Sequence, residues 1–145
     1  MTRQELEQRI RSGIPISAHM DFRVLELTDH VIEVKGGGAE NVNVHGTAFA
    51  GSLYAVATLA VWGLVNSRLP DNASLVMAEG NIRYVKPVVG DIVARCEIDA
   101  AEMQAFLAAV KNKGKGRLVA IARVAGDDQP AAEFTGHVYA RLHPQ

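Results

Sequence analysis

Asn43 and His45 stand two residues apart just ahead of a long uncharged stretch. In an extended lead-in their side chains point the same way, so they could converge on one carbonyl or one water. His45 is a candidate base near neutral pH, whereas Asn43 can only orient or polarise through hydrogen bonds. Gly46 and Thr47 follow. Unpaired amides around them, with the positive end of a helix dipole behind, would suit an oxygen that gains charge during a reaction, and Gly46 permits its close approach. Each residue also has a plain structural alternative. The Asn–His pair can tie down a loop, Gly46 can simply turn the chain, and Thr47 can simply cap the helix. Ser52, one turn farther, can reach the same end or bond back to a carbonyl one turn earlier. Gly51 and Tyr54 flank it as candidate binding positions. No base adjoins Ser52 in the nucleophile-elbow pattern, so a Ser-His-Asp triad is unsupported.

Further along, Glu79, Asn81 and Arg83 alternate on one side of a strand, opposite Ala78, Gly80, Ile82 and Tyr84. Bordering a cleft, this row would supply a carboxylate; otherwise it is the solvated side of a sheet. Asp21 has the same two readings. His137 shares its face with Glu133, Thr135, Tyr139 and Arg141 and reads as exposed. Lys111, Lys113, Lys115 and Arg117, with Gly114 and Gly116 between, make a flexible cationic turn. It suits phosphates, or it is a solvated turn after a helix whose C-terminus favours cations. No Walker loop, zinc-ligand cluster or dinucleotide fingerprint occurs, so neither a metal nor a resident cofactor is expected.

The elements that position these residues follow from periodicity. Thr2 and Glu5 have capping-box spacing for a helix over about 3–12, stopped by Gly13 and Pro15. Extended pieces at about 21–28 and 30–35 follow. Between Asn41 and Ser67 there is no Asp, Glu, Lys or Arg, and residues 48–66 form an apolar helix with Thr47 as its N-cap. Its composition would satisfy a membrane-helix window. Small and polar interruptions at Gly51, Ser52, Tyr54, Thr58 and Gly63, and the strands on either side that need an apolar partner, favour a buried core helix instead. Strands at 74–86 and 91–98, an Asp99-capped helix over about 100–112, and strands at 117–125 and 132–142 complete the pattern. The fold class is α+β, about six mostly antiparallel strands curled around one buried helix.

A chain of 145 residues makes one domain, of a size that buries a core without disulfides. With 15 Lys+Arg against 16 Asp+Glu, a surface built to coat nucleic acid is excluded as an expectation. The single Cys96 excludes CxxC pairs and Cys-rich zinc sites, and with no signal-peptide pattern the expected compartment is the cytoplasm.

The run Asn43-Val44-His45-Gly46-Thr47-Ala48-Phe49-Ala50-Gly51-Ser52-Leu53 before an apolar helix, with Tyr84-Val85-Lys86-Pro87-Val88-Val89-Gly90-Asp91 after it, resembles the hotdog-fold thioesterase superfamily. The chain is most similar to the thioesterase domains of the YiiD C-terminal type, over nearly its whole length. The resemblance implies hydrolysis of acyl thioesters of coenzyme A or acyl carrier protein, in a homodimer or dimer of dimers; the charge balance and the interrupted helix add the expectation of no nucleic-acid and no membrane partner. Coenzyme A would enter only as part of the substrate, with Lys113, Lys115 and Arg117 a landing place for its phosphates. Many hotdog thioesterases carry an acid two turns into the helix, where this chain has Tyr54. Two rivals therefore stand beside hydrolysis: a non-catalytic acyl-thioester-binding domain, and a hydratase or dehydratase, which would need a His–acid pair the helix lacks.

Overall fold

The Thr2 hydroxyl accepts from the Glu5 amide at 3.1 Å while the Glu5 carboxylate accepts from the Thr2 amide at 3.0 Å, so the spaced pair closes the capping box it encodes. The helix it starts, α1 (Arg3–Gly13), buries Leu6 and Ile10. The computed structural model describes residues 1–144. Pro15, expected to end helical structure, instead opens a second short helix, α2 (Pro15–His19). At the first helical position its missing N–H is no loss and its fixed φ already suits the turn.

Six strands then form one antiparallel sheet: β1 (Arg23–Leu27), β2 (Val31–Gly36), β3 (Ala73–Tyr84), β4 (Ile92–Glu97), β5 (Lys115–Val124) and β6 (Ala132–Leu142). Their order is β1-β2-β4-β5-β6-β3, which leaves β1 and β3 at the edges. The long helix α3 (Ala50–Arg68) packs against β2, β4, β5, β6 and β3 in turn, and α4 (Ala100–Lys113) covers β5. Alternation along the strands supplies the wall. Ile32 and Val34, then Ile92, Ala94 and Cys96, then Phe134, Val138 and Ala140 are all buried on one face. Burial pushes the Cys96 thiol up to about 12, the nearby Arg123 only partly opposing this, so Cys96 behaves as a small apolar core residue.

Two details of this frame differ from the expectation. In β3 the register slips between Met77 and Glu79, a bulge that leaves Ala78 unpaired with β6. Leu75 and Met77 therefore face inward before it and Gly80 and Ile82 after it, while Glu79, Asn81 and Arg83 lie on the outer face. The central helix is also not buried all round. Leu53, Val56, Ala57, Ala60, Val61 and Leu64 are buried, but Gly51 is exposed and Ala55, Thr58 and Trp62 are only half-buried along one stripe. The helix is long and apolar enough to cross a membrane by length and composition, yet half of its most apolar window is packed inside the fold.

Candidate functional site

Asn43 organises the chain leading into α3. Its Oδ1 accepts from the amides of His45 at 2.8 Å and Thr47 at 3.2 Å, and its Nδ2 donates to the Thr47 hydroxyl at 2.9 Å and the Ala48 carbonyl at 3.3 Å. The Gly46 amide donates to the Asn43 carbonyl at 3.2 Å, and Gly46 takes φ +80°, a conformation that only glycine adopts without cost. The lead-in is thus a tight loop, not an extended segment. Asn43 and His45 are not aligned by alternation, and the amides of Gly46 and Thr47, expected to be unpaired, are both engaged.

The helix start lies beyond Thr47. The N-cap is Phe49, with no side-chain hydrogen bond and no acid in the first turn. Thr47 does not cap because Asn43 holds its hydroxyl and amide, and Ala48 and Phe49 donate to the Val88 and Asn41 carbonyls, each at 2.8 Å. Ser52 and Leu53 both donate to the Phe49 carbonyl, at 2.9 and 3.0 Å. Among the described residues the amides of Ala50 and Gly51 have no partner. These are the two free donors at the positive end of a helix about 28 Å long, at 1.5 Å per residue over its 19 residues. Gly51 carries no side chain where the Phe49 ring folds across it, and a Cβ there would collide with that ring.

Beside this start is an opening of about 310 Å³ lined by Asn43, Thr47, Leu53, Tyr84 and Lys86 among others. The Tyr84 hydroxyl donates to the Ala50 carbonyl at 2.9 Å and fastens the first turn to the end of β3. Lys86 contributes a cation, paired with Asp128 at 3.2 Å. The hydroxyls of Ser12, Ser17 and Ser67 each bond to a carbonyl three or four residues earlier, but that of Ser52 bonds to none among the described residues. Ser52 is therefore free to hold a ligand or a water. His45 is exposed on the loop. The Tyr54 ring stands edge-on to Phe134 at 5.1 Å with its hydroxyl packed beneath Gly80.

Other candidates lie elsewhere. Glu79 is exposed on the outer face, 3.9 Å from His137, and Asn81 and Arg83 share that face. Within one chain this row does not border the α3 start. The cationic run is not a flexible turn either. Lys111 and Lys113 belong to the last turn of α4, Gly114 ends it at φ +78°, and Lys115 and Arg117 are already in β5. Lys115 pairs with Arg141 and Tyr84 with Ala132, so the nine residues separating the two places on β6 put them about 30 Å apart. Asp21 belongs to an ion-paired brace with Lys35, which also meets Asp91, and the Asp91 carboxylate accepts from the Gly38 amide at 2.8 Å. Partial desolvation pushes the Asp21 carboxyl up, but Lys35 and then Arg23 outweigh it and hold the group below the usual carboxylate range. Sequence reasoning missed Ala50, Tyr84 and Lys86 as site residues. The available signal was an apolar residue, Phe49, at a helix start with no acid behind it.

A family model described as "Putative thioesterase (yiiD_Cterm)" matches residues 3–141. A protein of unknown function from Chlorobaculum tepidum TLS is 28% identical with a TM-score of 0.90, over 97% of this chain and 94% of that one. A structure described as a putative thioesterase from Shewanella oneidensis is 27% identical with a TM-score of 0.79, covering 97% of each chain. A Pseudomonas aeruginosa protein of unknown function, described as a probable thioesterase, shares the fold at 19% identity and a TM-score of 0.86, over 99% of this chain and 97% of that one. With the sheet, the helix it wraps and the match along almost the entire sequence in agreement, the chain belongs to the YiiD C-terminal family of thioesterase-like, hotdog-fold proteins.

Proposed function

We propose that this protein hydrolyses acyl thioesters of coenzyme A or acyl carrier protein, with the thioester carbonyl oxygen received by the amides of Ala50 and Gly51. The observation that carries this reading is the uncapped start of α3, where two N–H groups without a partner among the described residues stand on exposed residues beside an opening that Ala50 lines. Water adds to the carbonyl carbon, the oxygen gains charge against the two donors, and collapse of the adduct breaks the C–S bond. The products are a carboxylic acid and a thiol, the water proton passing through the base to the departing sulfur. His45 is the base in this scheme, and the Ser52 hydroxyl orients the water. Asn43 positions His45 by closing the loop, and Gly46 lets the loop turn. Donors fixed before the reaction need no reorganisation as charge develops.

The working unit in this reading is a cytoplasmic homodimer, alone or paired again. Support comes from β3, a 12-residue strand at the sheet edge, and from the half-buried stripe of α3 beside it. Unpaired edges of that length are templates for pairing. If two β3 edges pair antiparallel, the Lys115 end of one sheet comes beside the Tyr84 end of the other. Lys113, Lys115 and Arg117 of the partner would then serve the phosphates of coenzyme A, and Tyr54 and Gly51 would line the acyl path.

A second reading, binding without turnover, is favoured by Tyr54, since no acid stands anywhere between Asn41 and Ser67. Acyl-coenzyme A esters of graded chain length, followed by thiol release and by calorimetry, separate the two. Hydrolysis predicts thiol release on at least one ester, reduced on replacing His45 with Ala. Tight binding of the intact ester with no thiol released supports the second reading and overturns the first.

A further inference from the structure

We propose that the groove at the C-terminal end of α3 binds a single-chain amphiphile with a carboxylate head, a medium-chain fatty acid anion. It lies a full helix length from Ala50, and the inference does not rest on thioester hydrolysis. The groove encloses about 680 Å³ between α4, the α3–β3 connection and the end of β6. That volume falls within the ~300–1,000 Å³ usual for small-ligand sites. Its floor is apolar: Leu69 and Val110 are buried, and Leu107 and Leu142 are half-buried with part of each side chain open to the groove. Pro70 completes that wall.

Its charges are one-sided, the remaining polar group being the neutral Asn72. No acid lines the groove, whereas Arg68 and Lys111 both stand at it. Arg68 is held in place by donating to the Asp29 carbonyl at 2.6 Å, with its Nε 4.0 Å from the Asp29 carboxylate. Lys111 has no ion pair or side-chain hydrogen bond among the described residues. Cations near a helix C-terminus are common on solvated surfaces. Here they border a concave hydrocarbon floor, a combination that asks for a negative head joined to an apolar tail. A neutral chain would leave Lys111 without a partner, and a cationic chain would be repelled.

Calorimetry on the intact protein with octanoate, decanoate, decanol, decyltrimethylammonium and acyl-free coenzyme A tests this. Decanoate is expected to bind once per chain, and octanoate ~15-fold more weakly, since each of the two missing methylenes is worth ~4-fold in affinity. Decanol and decyltrimethylammonium should bind at least ~10-fold more weakly than decanoate, the loss of one charge-assisted contact. Lys111→Glu, on an exposed position that leaves the core intact, should weaken decanoate by ~10-fold or more, and Lys111→Arg should restore it. Leu107→Gln should weaken it as well, with an unchanged circular dichroism spectrum. A decanoate carrying a diazirine at its tail should label α4 or residues 69–72. The proposal is overturned if decanoate fails to bind, if decanol or acyl-free coenzyme A binds as well as decanoate, if binding ignores both Lys111→Glu and Leu107→Gln, or if the diazirine labels the α3 start instead.

Discussion

Three long helices begin in this chain, and the third treatment differs from the other two. α1 opens with the reciprocal Thr2–Glu5 box, and α4 opens on Asp99, whose carboxylate accepts from the Ala101 and Glu102 amides at 3.1 and 3.3 Å. Both have an acid in the first turn, where it complements the dipole. α3 has neither: Phe49 holds the N-cap position and the amides of Ala50 and Gly51 stay open. A side-chain cap is worth ~1 kcal/mol. Forgoing it where the other two long helices are capped leaves donors free for an external oxygen, and this is the physical core of the functional reading.

Ala50→Pro should separate stability from function. Proline suits the first helical position, and Phe49 at ψ 133° already has the extended conformation a following proline demands. The variant should melt within a degree or two of the parent, yet thiol release should fall by ~10²–10³ through loss of one donor. Phe49→Asp should close one of the two, the Gly51 amide, from within, as Asp99 closes that of Ala101 at the second position of α4. It is expected to raise helix stability by ~1 kcal/mol, seen in urea unfolding, while turnover falls by ~10-fold or more because a carboxylate occupies the place of the reacting oxygen. Asp99→Ala does the opposite at α4, costing ~1 kcal/mol with turnover unchanged.

The two capped starts were legible in the sequence; the uncapped one was not, because it had local competitors. The caps at Thr2 and Asp99 and the alternation of β4, β5 and β6 are short-range signals, and they hold. Thr47 had the right residue type for a cap, but Asn43, four residues earlier, takes its hydroxyl and amide and moves the helix start to Ala50. Pro15 carries the same signal whether it ends one helix or begins the next. The outer position of Glu79 agrees with alternation read from Ala78 onward, while the bulge that reverses the inward set after Met77 depends on pairing with β6. The separation of Lys115 from the α3 start is likewise a matter of strand register, which no local pattern records.

The smallest expected effect concerns the brace beneath the α3 lead-in. Asp21 is held below the usual carboxylate range, so its folded-state value lies under its unfolded one. Its contribution is present above the unfolded value and is lost as the pH falls through the folded value. Asp21→Asn should therefore be slightly less stable than the parent near neutrality and converge with it in acid, as thermal melts across pH 2–7 would register. Because Asp21 is half-buried in a brace with Lys35 and Arg23 and does not line the opening at the α3 start, turnover should scarcely change.

The account's central claim is that an acyl oxygen sits on two particular amides, and nuclear magnetic resonance can observe them directly. In uniformly ¹⁵N-labelled protein titrated with a trifluoromethyl ketone analogue of acyl-coenzyme A, the Ala50 and Gly51 amide protons should move downfield the most. Those of Gly46, Thr47, Ala101 and Glu102, already bonded within the chain, should shift little. Saturable binding of the analogue with Ala50 and Gly51 unmoved would contradict the account.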